Sequence, residues 1–86
     1  MMKTENEIRI ANGRLIYRMV KDKNSLGKTS YGISVSTTLF GEEETETVTD
    51  ISTDHNTVYE FMLMLADNIV LPSTLKDIVS DYLAVL

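Results

Sequence analysis

The hydrophobic pattern of this chain changes period once, at about Ile51, and that switch limits the folds open to it. Before it, large apolar residues alternate with small polar ones, as in Tyr31-Gly32-Ile33-Ser34-Val35-Ser36. A period of 2 is what a half-buried strand requires. After it, Val58, Phe61, Met62, Leu65 and Ile69 fall on one helical stripe, and Leu75, Ile78, Val79, Tyr82, Leu83 and Leu86 form a second. Strands gathered at one end of a chain and helices at the other imply an antiparallel sheet with the helices layered on one face. The expected fold is therefore α+β: a four-stranded antiparallel sheet within residues 1–51, then two helices within 54–86, in ββββαα order. Length argues for a single domain over 1–86. A chain this short buries only about 60–65% of its extended surface, enough for one thin core and no cleft between two lobes.

Asn12-Gly13, set between Ile8-Arg9-Ile10-Ala11 and Arg14-Leu15-Ile16-Tyr17, marks the first hairpin. Read as the two loop residues of a type I′ turn, it places Ile10 opposite Leu15, Arg9 opposite Ile16 and Ile8 opposite Tyr17. Glu7 then lies across from Arg18, and Glu5 across from Val20. Ile8, Ile10, Leu15, Tyr17 and Met19 share the inner face. Asp22 to Lys28 reads as a loop, Tyr31, Ile33, Val35 and Leu39 point inward, and Gly41-Glu42-Glu43 turns into a returning strand over 45–51. The inner face of that fourth strand stays open, because loops of odd and even length give opposite answers. Ser52, Asp54 or Thr57 could cap the first helix, Thr57 with Glu60 as a capping box and Asp54 one turn earlier. Pro72 ends that helix by about Leu71 and suits the first turn of the next, which Ser73 could also cap. Phe61 to Leu65 are five consecutive apolar residues, so their side chains point nearly all round the helix. Leu63 or Met64 is left exposed unless something covers it.

The net charge of −5 hides a split. Residues 1–28 carry seven Lys/Arg against three Asp/Glu, whereas residues 29–86 carry one against ten. Arg9, Arg14 and Arg18 give the first hairpin a basic outer face. Single-strand nucleic-acid binders interleave such cations with aromatic rings, and here Tyr17 alternates to the other side, so no nucleic acid is expected. The longest apolar run, Phe61 to Ala66, is far below the ~20 residues of a membrane span. Cysteine is absent, which excludes disulfides, thiolate metal sites and a cysteine nucleophile. With no apolar leader at the start, this favours the cytoplasm.

Chemistry-bearing residues are sparse. Asp50, Asp54 and His55 offer carboxylate and imidazole ligands for a divalent ion, and Asp77 and Asp81 place two carboxylates on one helix face. Ligands crowded into one strand-to-helix turn cannot readily surround an ion. Capping of the helix start and a solvated helix face account for these acids more simply. A Ser-His-Asp triad on His55 lacks any sign of an oxyanion site. Gly27-Lys28-Thr29 resembles the end of a phosphate loop, but Asp22 stands where its first glycine belongs. Glu42-Glu43-Glu44 reads as a solubilising hairpin tip. No catalytic, cofactor or metal site is expected.

Thr49-Asp50-Ile51-Ser52-Thr53-Asp54, an apolar helix, and then Leu75-Lys76-Asp77-Ile78-Val79-Ser80-Asp81-Tyr82-Leu83 form a recognisable series. With the Tyr31-Gly32-Ile33 strand it resembles a family of small bacterial proteins known only as a domain of unknown function, over about residues 14–83. The resemblance implies a bacterial cytosolic protein, supplies no reaction or cofactor, and draws attention to Asp54, Asp77 and Asp81. The reading is a non-enzymatic protein-interaction module, binding an unidentified partner or itself through Arg9, Ile16, Arg18 and Val20 on the hairpin or Leu63 and Met64 on the first helix. The alternative is a regulatory domain that binds a small ligand or a divalent metal.

Overall fold

Alternation in the first half and helical spacing in the second produce six elements in the computed structural model, which describes residues 8–85. They are β1 (Arg9–Asn12), β2 (Leu15–Lys23), β3 (Thr29–Thr37), β4 (Glu44–Ser52), α1 (His55–Asp67) and α2 (Pro72–Ala84). The strands form one antiparallel sheet in the order β1-β2-β3-β4. Both helices lie on the same side, α1 mainly over β2 and β3 and α2 mainly over β4. The body is 19 Å thick, as expected for a sheet and one helix layer about 10 Å apart. Leu15, Tyr17 and Met19 from β2 and Ile33 and Val35 from β3 meet Val58, Phe61, Met62 and Leu65 from α1 and Leu75 and Val79 from α2 in one core. Among the described residues, no helix is long and apolar enough to cross a membrane.

The first hairpin keeps the expected faces but not the expected partners. Ile10 pairs with Tyr17, Ala11 with Ile16, Asn12 with Leu15, and Arg9 with Arg18 rather than Ile16. The turn is therefore Gly13-Arg14, with Gly13 at φ = 63° and Arg14 outside the positive-φ region, the pattern of a II′ turn. A slip of two residues leaves every side chain on its own face. The cause lies in tertiary structure: Asn12 is a strand residue whose side-chain N–H donates to the Ala66 carbonyl near the end of α1, 3.0 Å away. The expected partners Glu5 and Glu7 lie outside the described residues.

Leu39 does not point inward. β3 ends at Thr37, and Leu39 and Phe40 sit on the loop to β4, exposed at 46% and 62%. On β4, Glu46 and Val48 take the inner side, paired with Val35 and Ile33. Four residue steps of β4, Val48 to Ser52, then face two of β3, Ile33 to Tyr31. This bulge puts Asp50 at φ = 57° and turns Ile51 into the core. It also explains Gly32, where a Cβ would stand 2.1 Å from the Val48 carbonyl oxygen.

α1 is capped by Asp54, and it stops at Asp67, short of the limit Pro72 sets. The Val70 N–H bonds to the Leu65 carbonyl at 3.1 Å and the Ile69 N–H to the Ala66 carbonyl at 3.2 Å. Those two bonds define a Schellman ending, with Leu65 and Val70 supplying its buried apolar contact. Its left-handed residue is Ile69, at φ = 53°, and not the usual glycine. Ile69 accordingly leaves the expected stripe, 58% exposed, and Val70 is buried in its place. α2 begins with Pro72 after Leu71, so Ser73 is not its cap. Its stripe buries Leu75 and Val79 and half-buries Ile78 and Tyr82, while Leu83 is exposed.

Two substitutions at glycines separate space from conformation. Gly13→Ala meets no atom within 4 Å and should cost the ordinary left-handed penalty, about 1–2 kcal/mol. Gly32→Ala must displace backbone and should cost about 3 kcal/mol or more in urea unfolding. Equal costs would show that the bulge yields easily. In the other direction, Ile69→Gly should raise stability by about 0.5–1 kcal/mol, since relief of the strained φ exceeds the added freedom of the unfolded chain. A loss of stability would assign the Ile69 side chain a packing role that outweighs its strain.

Candidate interaction surface

Because both helices cover one side of the sheet, the other side has no layer of its own among the described residues. Along β2 the burial alternates: Leu15, Tyr17 and Met19 are buried, whereas Ile16, Arg18 and Val20 are half-buried on the uncovered face. The register extends this face across the sheet. Arg9 and Arg18 are cross-strand partners, Arg18 is next to Ser34, and Ser34 is next to Thr47. One row therefore carries two guanidinium groups and two hydroxyls. The adjacent row is Ala11, Ile16, Ser36 and Thr45. The hydroxyls pair with each other: Thr47 donates to Ser34 at 3.1 Å, and Ser36 and Thr45 lie 3.0 Å apart. These bonds satisfy the small side chains locally and leave the β3–β4 half of the face flat.

The helix side offers a second apolar feature. Leu63 and Met64 are 39% and 38% exposed. Met64, Thr57, Glu60 and Phe61 form one stripe of α1, and with Tyr82 of α2 they line an open groove of about 290 Å³. Phe61 and Tyr82 floor it as a stacked pair, 4.1 Å between ring centroids and 21° between planes. Leu63 is not among the lining residues, so the two expected contact residues on α1 do not share one site. Sequence periodicity placed Phe61 and Tyr82 on separate stripes and gave no sign that they would stack.

The acidic candidates do not converge. Asp50 is exposed in the β4 bulge. Asp54 accepts the Thr57 backbone N–H at 3.2 Å and also the Thr57 hydroxyl. His55 meets the Tyr31 ring edge-on at 5.2 Å and lies nearly parallel to Tyr59 at 6.5 Å, so its ring is used in packing. Asp77 and Asp81 are exposed on the polar side of α2. Among the described residues, no three His, Asp or Glu side chains gather where they could hold a metal ion. Lys76, beside Asp77, reaches Glu46 of β4 at 3.1 Å, an exposed ion pair of the kind worth about 0–1 kcal/mol.

The hydrogen bond from the Thr57 side chain, with the Thr57 and Asn56 backbone N–H groups and nearby His55 adding to it, holds the Asp54 carboxyl below its ordinary value of 3.8. A lowered folded-state pKa stabilises the fold above the unfolded value, and that contribution fades as pH falls through the folded one. Asp54→Ala should therefore lower the melting temperature at pH 7, and the gap to the parent protein should narrow steadily below about pH 4. A gap that persists unchanged into acid would mean that the carboxylate charge contributes nothing to the cap.

No curated protein and no solved structure matches this chain. A family model does, over residues 1–85, and by that match the chain belongs to a family of unknown function, DUF6514.

Proposed function

We propose that this chain is a non-enzymatic protein-interaction module of the bacterial cytoplasm, and that it binds through the open face of its sheet. The observation that carries the reading is the one-sided burial of the sheet. Ile16 and Val20 remain half-buried on a face that none of the described helices covers, in the rows on either side of Arg9 and Arg18. A face of branched apolar residues interspersed with arginine has the composition of a protein interface, in which arginine is enriched and apolar area is shared with a partner. The polar groups elsewhere support a binding role over a catalytic one. Asp54 caps a helix, His55 is packed between tyrosine rings, and Asp77 and Asp81 face solvent.

Replacing Ile16 with a photo-crosslinking residue tests this directly in the cells that make the protein. Discrete adducts are expected from position 16 and none from the same residue placed at Asp77 on the far side. Absence of adducts at position 16, or adducts from position 77 alone, would overturn the assignment of the face.

A further inference from the structure

The open face divides into two unlike halves. The β1–β2 half carries long or branched side chains, the exposed Arg9 and the half-buried Ile16, Arg18 and Val20. The β3–β4 half carries only small side chains, the buried Gly32, Ser34 and Ser36 and the exposed Thr45 and Thr47, whose hydroxyls are bonded pairwise to those of the two serines. A twofold axis lying in this face and parallel to the strands places the large half of one copy over the small half of another, and the reverse. Shape complementarity is thus built into a single surface, as an isologous interface requires.

Charge agrees with the same operation. The Gly13-Arg14 turn and the β3–β4 loop lie at one end of the sheet, because Leu15, which follows Arg14, pairs with Thr37, which precedes the loop. Rotation about that axis brings the Arg14 turn of each copy to the loop of the other, which bears the exposed Glu42 and Glu43. We infer that the open face is a homodimer interface and that its occupant is a second copy of this chain, packed sheet to sheet with the helices outside. This rests on the reading of the face as an interaction surface. Four strands about 4.8 Å apart and up to nine residues long, at about 3.3 Å each, give a flat footprint of roughly 500 Å². Side-chain relief and the loop carrying exposed Leu39 and Phe40 extend it toward the ~800 Å² per partner of a standard interface.

Sedimentation equilibrium of the full chain from about 10 μM to about 1 mM tests the dimer, over the range set by an interface at the small end of the standard class. The mass should rise to that of two chains. Arg14→Glu should weaken the dimer about tenfold, since each dimer loses two symmetry-related ion pairs. Adding Glu42→Arg and Glu43→Arg to that variant should restore most of the affinity. Both sites are exposed, so these variants keep the fold. Leu63→Asp, on the helix side, should leave the dimer intact. A monomer throughout the range would overturn the inference, as would a dimer broken by Leu63→Asp and indifferent to Arg14→Glu. The two readings fail separately: adducts from position 16 at masses other than twice the chain retain the interaction surface and remove the second copy as its occupant.

Discussion

The hydroxyl of Tyr17 donates to the carbonyl of Val70 across 2.9 Å of buried space, and the arrangement of both layers follows from that contact. Tyr17 has no exposed surface, and burial, opposed in part by this hydrogen bond, pushes its phenol above the ordinary range. A buried hydroxyl without a partner is costly, so the segment between the two helices is held over the first part of β2. Asn12 makes a second tie from β1 to the Ala66 carbonyl. With the α1–α2 connection held there, α1 crosses the whole sheet, mainly over β2 and β3, and α2 lies over β3 and β4. Two 13-residue helices on one side cover that side, and among the described residues nothing is layered on the other.

Much of this was legible in the chain because burial on one side imposes a period. Strand alternation identified Leu15, Tyr17, Ile33 and Val35, and helical spacing identified Val58, Phe61, Leu65, Leu75 and Val79. At the first hairpin a contact distant in sequence overruled a local signal. Asn12-Gly13 is a strong turn dipeptide, yet the side-chain hydrogen bond from Asn12 to the Ala66 carbonyl holds Asn12 in the strand, and the turn lies one residue onward. Leu39 continues the alternation of β3 by spacing, but the strand had already ended. The end of α1 was hidden for another reason: its left-handed residue is isoleucine, so no glycine announced it.

Ile69 and the Gly32–Asp50 bulge are both local departures that the surrounding fold enforces. At Ile69 the Schellman bonds and the burial of Val70 outweigh an unfavourable φ, because moving the left-handed residue would take Val70 out of the core. At the bulge, aspartate tolerates the left-handed region and glycine opposite it lets the two backbones approach. The bulge also brings Ile51 inward just before the chain turns into α1. The inner face of Glu44 to Val48 is set before the bulge, by the length of the loop that follows Thr37.

The uneven distribution of charge acquires a physical meaning once the register is known. Glu44 and Glu46 lie on the helix side of the sheet, where Glu46 meets Lys76, so the uncovered face of β3 and β4 is lined by hydroxyls and not by acids. The acids at the border of this face are Glu42 and Glu43 at the loop tip and Asp22 at the far end of β2, and the arginines are on the first hairpin. Two copies with a net charge of −5 repel at long range, and an unspecific approach is unfavourable. Within a screening length of about 8 Å, the local pattern outweighs the total. A surface with its arginines on one hairpin and a pair of glutamates at the tip of the other accepts an oriented partner and rejects a rotated one. The asymmetry visible along the chain thus becomes a criterion for orientation in three dimensions.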